Sequence, residues 1–208
     1  MNLVGIIPAA FLALRVALCV CLIGVIGVSG SRAGESDGDM TRIDFSRDNE
    51  AAHWELVNDS VMGGVSRSEM RIADDGIAVF EGTVSLENNG GFAMARTKPG
   101  DYAMAGFDGM AIRVRGDGKT YKLRLRTDKR FDGIAYSATF ETRAGEWETI
   151  HIPFLDFVPT FRGRVLTDVE PLDPVRIRRI GLMIADKQAG AFRLEIDWIA
   201  GVHLDKEL

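Results

Sequence analysis

From residue 78 onward the chain alternates apolar and polar residues with a period of two. Phe80, Gly82, Val84 and Leu86 share one phase, while Glu81, Thr83 and Ser85 share the other. Met110, Ile112 and Val114 alternate with Ala111, Arg113 and Arg115, and Tyr121, Leu123 and Leu125 with Lys122, Arg124 and Arg126. Ile150, Ile152 and Phe154 continue the rhythm, then Ile180, Leu182 and Ile184, and finally Phe192, Leu194, Ile196 and Trp198. A strand points successive side chains to opposite faces, so each set predicts one half-buried strand. Turn clusters separate the sets: Asp74-Asp75-Gly76, Asn88-Asn89-Gly90-Gly91, Gly116-Asp117-Gly118, Asp132-Gly133 and Ala189-Gly190. No segment after residue 40 keeps a helical period for three turns. At least seven short strands with regular turns predict an all-β fold, an antiparallel β-sandwich or jelly roll.

The first 33 residues follow another pattern. Val16 to Ser29 is an unbroken apolar run, preceded by Arg15 and followed by Ser31-Arg32-Ala33. That order of charge, apolar run and small residues predicts a signal peptide, with an uncleaved N-terminal anchor as the alternative. Both imply export, to the periplasm or beyond the cell, or a domain held outside the cytoplasm. Residues 34–42 read as a linker and 43–204 as a single sandwich domain. Contact with a membrane is expected only through the N-terminal segment.

Composition narrows the chemistry. Both cysteines, Cys19 and Cys21, lie in the apolar run, which leaves the predicted domain without a disulfide, a thiolate metal site or a cysteine nucleophile. His53, His151 and His203 stand in unrelated segments, giving no metal pair or catalytic triad. Gly118-Lys119-Thr120 resembles the end of a phosphate-binding loop, but Arg113 occupies the place of the required glycine and a strand follows. No catalytic residue, metal, calcium loop or cofactor is implied. The 208 residues carry a formal charge of −5, which argues against general nucleic-acid binding.

Two segments break the strand rhythm. His53–Ser68 contains Asn58, Asp59, Gly63 and Gly64; Leu86–Arg96 contains Asn88, Asn89, paired glycines and Arg96. An Asp59–Arg96 ion pair would tie them together at one end of the sandwich. The plainer reading is two structural turns. Arg113 and Arg115 share a face on one strand, Lys122, Arg124 and Arg126 on the next. If residues 116–120 form a hairpin loop, all five cations lie side by side, either paired with Glu81, Glu195 and Asp197 or open to an acidic partner. Phe131, Tyr136 and Trp147 are candidates for a sugar-stacking platform. Phe157–Arg164, with Arg162 and Arg164, interrupts the strand rhythm and is the candidate for an ordered, functional loop.

The segment Trp54 with Asn58-Asp59-Ser60-Val61-Met62-Gly63-Gly64-Val65-Ser66 resembles the signature of the complex I intermediate-associated protein family. Further matches follow in order: Phe80-Glu81-Gly82, Leu86 to Phe92, Arg96, Trp147, Ile152-Pro153-Phe154, Phe161-Arg162-Gly163-Arg164, Ile180 to Ile184, and Leu194 to Ile199. The resemblance covers about residues 43–200 and implies a galactose-binding-domain-like jelly roll. It also implies a non-enzymatic assembly factor that binds a protein partner, with no catalytic residues to carry over. A carbohydrate-binding module, taking a glycan, is the alternative.

Overall fold

The computed structural model describes residues 42–45 and 50–204. Thirteen strands run through them: β1 (Arg42–Asp44), β2 (Trp54–Leu56), β3 (Arg67–Ile72), β4 (Ala78–Val84), β5 (Ala93–Thr97), β6 (Gly109–Arg115) and β7 (Thr120–Arg126). They continue with β8 (Ala135–Glu141), β9 (Trp147–Pro153), β10 (Val158–Phe161), β11 (Arg164–Val165), β12 (Arg179–Ile184) and β13 (Gly190–Val202). The helical elements among the described residues are single 3-10 turns. The predicted signal peptide or anchor and the linker lie outside the described residues, except that Arg42 opens β1.

The first sheet has the order β3-β4-β13-β6-β9, with β1 also paired to β13; the second has the order β11-β10-β8-β7-β12-β5-β2. All the strand pairs are antiparallel. The core lies between the sheets, as the alternation predicts. Phe80, Ile112, Val114, Leu194 and Ile196 from the first sheet meet Tyr121, Leu123, Leu125, Ile180, Leu182 and Ile184 from the second, all fully buried. Burial of each such side chain contributes about 1.5–3 kcal/mol relative to exposure.

Three departures from the alternation matter. The β6–β7 connection is not a hairpin, because β6 lies between β13 and β9 while β7 lies between β8 and β12. Crossing between layers lets Met110, Ile112 and Val114 face Tyr121, Leu123 and Leu125 across the core instead of lying beside them. The five cations are consequently split between the two outer surfaces of the sandwich. Trp198 leaves the inward set, because a bulge shifts the β13 register between Ile196 and Trp198. Ile199 takes the buried position, and Trp198 turns outward beneath the Arg42 guanidinium, 4.9 Å from its ring centroid. Leu86 falls beyond the end of β4 and is exposed.

Candidate functional site

Asp59 organises one end of the sandwich. It opens a 3-10 turn over Asp59–Met62 and is fully buried. Its Oδ1 accepts from Ser66 N–H at 2.9 Å; its Oδ2 accepts from the Ser66 hydroxyl, Gly91 N–H at 2.7 Å and Phe92 N–H at 3.3 Å. Burial alone would push the carboxyl up, but these four donors outweigh it and hold the group below the usual aspartate value. Glycine is required beside it. A Cβ on Gly64 would stand 2.4 Å from the carboxyl carbon, and one on Gly90 2.5 Å from Oδ2.

The other predicted loop residues serve this arrangement. Asn58 Oδ1 accepts from the Ser68 hydroxyl at 2.7 Å, and Gly63 closes the turn at φ +91°. Asn88 and Asn89 are exposed, and both adopt left-handed backbone, with φ of 54° and 59°. Asparagine tolerates that region better than most residues, and the resulting bend delivers Gly90-Gly91 to the carboxylate. The two segments are therefore tied together, but not by an Asp59–Arg96 pair. Ser66 ends the same short motif as Asp59, yet nothing in the sequence marks its hydroxyl as the partner. The locked loops hold large apolar side chains in solvent: Val61 is 61% and Met62 65% exposed, with Val65 and Leu86 also exposed.

Arg96 belongs to a second feature, on the outer face of the second sheet. Antiparallel register sets Arg96 of β5 against Gly181 of β12, Gly181 against Arg124 of β7, and Arg179 against Arg126. Four arginines thus share one surface. Arg96 Nε donates to Glu55 Oε1 at 2.7 Å, and Arg179 Nη1 donates to the same oxygen. Arg96 Nη1 and Arg126 Nη1 each donate to the Phe131 carbonyl at 2.8 Å, and Arg126 Nη2 donates to Asp128 at 3.2 Å. The Phe131 ring lies 4.5 Å from the Arg96 guanidinium. Glu55 is held below its usual value: burial opposes ionisation, but the hydrogen bonds from Arg179 and Arg96 prevail. The sequence signals Arg179 only by its phase, opposite to Ile180, Leu182 and Ile184, and carries no signal for Glu55 as its partner.

The outer face of the first sheet is different. Arg113 pairs with Asp197 at 3.2 Å, Arg115 with Glu195, and Arg193 with both Glu195, at 2.7 Å, and Glu81. Here the plainer reading of the cations holds, and Lys122 on the other sheet is likewise paired, with Asp186 at 2.7 Å. Trp147 lies under the guanidinium groups of Arg113 and Arg115, at 5.6 and 5.0 Å. Tyr136 is buried, its hydroxyl donating to the Glu170 carbonyl at 2.9 Å, and burial pushes its pKa up. Phe131, Tyr136 and Trp147 therefore form no common platform. The 157–164 segment is ordered, but as strand and not loop: β10 and β11 make an edge hairpin, turning at Arg162 (φ 47°) and Gly163. Arg162 pairs with Asp132 at 2.8 Å, and Arg164 is exposed on β11.

Comparison with solved structures agrees with this architecture. A family 11 carbohydrate-binding module from Clostridium thermocellum, in complex with a β-1,3-1,4-mixed-linked tetrasaccharide, superposes with a TM-score of 0.59 at 16% identity. The match covers 80% of this chain and 98% of that one. An agarase matches with a TM-score of 0.51 at 13% identity, over 78% of this chain and 24% of its own. At such identities the likeness is one of fold.

Curated relatives are found at higher identity. Complex I intermediate-associated protein 30, mitochondrial, of Mus musculus is 32% identical over 172 residues, 73% of this chain and 52% of the relative. Its counterpart in Drosophila melanogaster is 28% identical over 190 residues, 81% and 63% respectively. The chain thus spans between half and two thirds of the length of these relatives. Their mitochondrial designation overturns the expectation of export to the periplasm or secretion. The family model described as Complex I intermediate-associated protein 30 matches residues 43–196, and the chain belongs to that family.

Proposed function

We propose that this chain is a non-enzymatic protein-binding module that aids assembly or stability of respiratory complex I, and that residues 43–204 act as one domain. The family membership supports the choice of complex. The observation that carries the binding role is the pair of loops locked on Asp59, which holds Val61, Met62, Val65 and Leu86 in solvent. Exposed apolar side chains gathered at one end of a domain are characteristic of docking surfaces. A loop already fixed by buried hydrogen bonds loses little conformational entropy when a partner covers it.

The test is affinity capture of the full chain from respiratory membranes, with identification of the retained subunits. Capture of complex I subunits is the expected result. The triple substitution Val61→Ser, Met62→Ser, Leu86→Ser should abolish it while leaving Asp59 and the fold intact. Undiminished capture by that variant would place the contact elsewhere. The glycan alternative loses its stacking platform with Tyr136 in the core and Trp147, on the first sheet, beneath two arginines of its neighbouring strand.

A further inference from the structure

We propose that the outer face of the second sheet, over Gly181, binds a phosphate-type oxyanion. The proposal is independent of the assembly role. Gly181 occupies the middle of the row Arg96–Gly181–Arg124, so two arginines flank a position that carries no side chain. A Cβ built on Gly181 would stand 3.2 Å from Arg96 Cβ, which puts that position on the arginine side of the sheet. Arg179 lies two residues away on the same face of β12, and Arg126 is its neighbour on β7.

The donors of this cluster exceed its acceptors. Arg96, Arg126 and Arg179 are only 4%, 7% and 5% exposed. Each keeps a buried nitrogen without an acceptor among the described residues: Arg96 Nη2, Arg126 Nε and Arg179 Nε. Buried N–H groups are normally satisfied, and an unsatisfied one calls for an explanation such as a bound ion. Three orphaned guanidinium nitrogens on one surface call for a shared one. Charge gives the same answer. Among the described residues, three of the four guanidiniums, those of Arg96, Arg126 and Arg179, are hydrogen-bonded to two carboxylates, Glu55 and Asp128; Asp128 is shared with Arg130, and Arg124 bonds to neither. About two positive charges are left over.

Arg124 is the most telling member. Among the described residues its Nη1 meets only the sulfur atoms of Met94 and Met183, each at 3.4 Å. Burial first, then the positive charges of Arg126 and Arg96, push its pKa down to about 10. Being half-buried, it is also the arginine that solvent reaches. A phosphate group brings a charge of about −1.5 to −2 and three acceptor oxygens, and guanidinium forks match its geometry. A single carboxylate would supply half of that charge. The shallow groove of about 780 Å³ on the first sheet, lined by Arg67, Lys119 and Arg193 with Glu69, Glu81 and Asp117, has its charges balanced internally.

Inorganic phosphate titrated into the full chain at constant ionic strength tests the proposal, followed by calorimetry and by melting temperature. Saturable binding with a rise in melting temperature is expected, with sodium chloride at the same ionic strength giving neither. Arg124→Gln should weaken binding at least tenfold, and Arg113→Gln on the other sheet should leave it unchanged. Should Arg124→Gln fold poorly, the Nε–H resonances of Arg126 and Arg179 in the unaltered chain serve instead, and phosphate should shift them. Adenosine monophosphate binding more tightly than phosphate would assign the site to esterified phosphate; the reverse order would assign it to the free ion. Equal binding of citrate, equal binding by Arg124→Gln, or no shift at the Nε–H groups of Arg126 and Arg179 would overturn the proposal.

Discussion

Asp59 and the arginine cluster are opposite solutions to burying charge, and Glu55 and Arg96 of the cluster lie on the strands next to the two Asp59 loops. At Asp59 one carboxylate meets four donors within two loops, so its charge is spread and every bond is short-range and specific. At Arg96, Arg124, Arg126 and Arg179 the donors outnumber the acceptors, and several nitrogens are left over. The first is complete and therefore rigid, which suits a loop that presents side chains to a partner. The second is incomplete. Arg113, Arg115 and Arg193 on the first sheet give the reference state, because they are half-exposed and each meets a carboxylate. A saturated buried group stiffens a structure, whereas an undersaturated one makes a binding site at some expense in stability.

Substitutions can break this contrast. The largest effect is expected for Asp59→Ala, which leaves Ser66, Gly91 and Phe92 N–H groups without their acceptor. At about 1–3 kcal/mol for each unsatisfied group, the loss should be about 4 kcal/mol in urea denaturation, with exposure of both loops to protease. Asp59→Asn keeps the volume and should cost about half as much by the same reasoning. Glu55→Gln removes the carboxylate shared by Arg96 and Arg179. Breaking a buried pair costs about 3–5 kcal/mol, and since Glu55 is itself partly exposed the figure here should be about 2 kcal/mol.

Both carboxyls also set a pH dependence. Their folded pKa values lie below the unfolded values of 3.8 for Asp59 and 4.5 for Glu55. Their stabilisation is complete above those values and is lost as pH falls through the lower folded ones. The unaltered chain should therefore lose stability below pH 4.5 more steeply than either Asp59→Asn or Glu55→Gln, measured by denaturation at a series of pH values.

On the first sheet, Glu195→Gln should cost only about 1 kcal/mol, because Arg115 and Arg193 can turn to solvent. The smallest effect is expected for Arg124→Gln without phosphate. Removing a cation held among like charges should leave stability unchanged or raise it by about 0.5 kcal/mol. A loss above 1 kcal/mol would mean that Arg124 is satisfied where it stands, and the contrast would fail.

The alternation of Met110, Ile112 and Val114, or of Ile180, Leu182 and Ile184, was enough to read strands, burial and a sandwich from the chain alone. Period-two patterning is a local property, and local backbone geometry converts it directly into an inside and an outside face. The family signature around Asp59 was also legible, as was the linkage of its two loops. The sequence points to Asp59 as the residue that makes the linkage but not to its partners, because an ion pair with Arg96 and hydrogen bonds to Gly91 and Phe92 demand the same composition. Trp198 was misplaced by a single extra residue in β13, since a bulge inverts the phase of everything after it without altering the pattern.

The arginine cluster shows the sharper boundary. Arg124 and Arg126 share one face, as the alternation predicts, but Arg113 and Arg115, which a hairpin would set beside them, lie on the opposite surface of the sandwich. Whether 116–119 turns back in its own layer or crosses to the other depends on which strands occupy the edges of β6, and those strands come from residues 147–153 and 190–202. Arg96, Arg124 and Arg179 meet around Gly181 for the same reason. Side-chain direction is set within a few residues, but strand neighbours are chosen across the whole chain by which apolar faces pack together. Charge on a strand is therefore readable from the chain, and charge across strands follows from the packing.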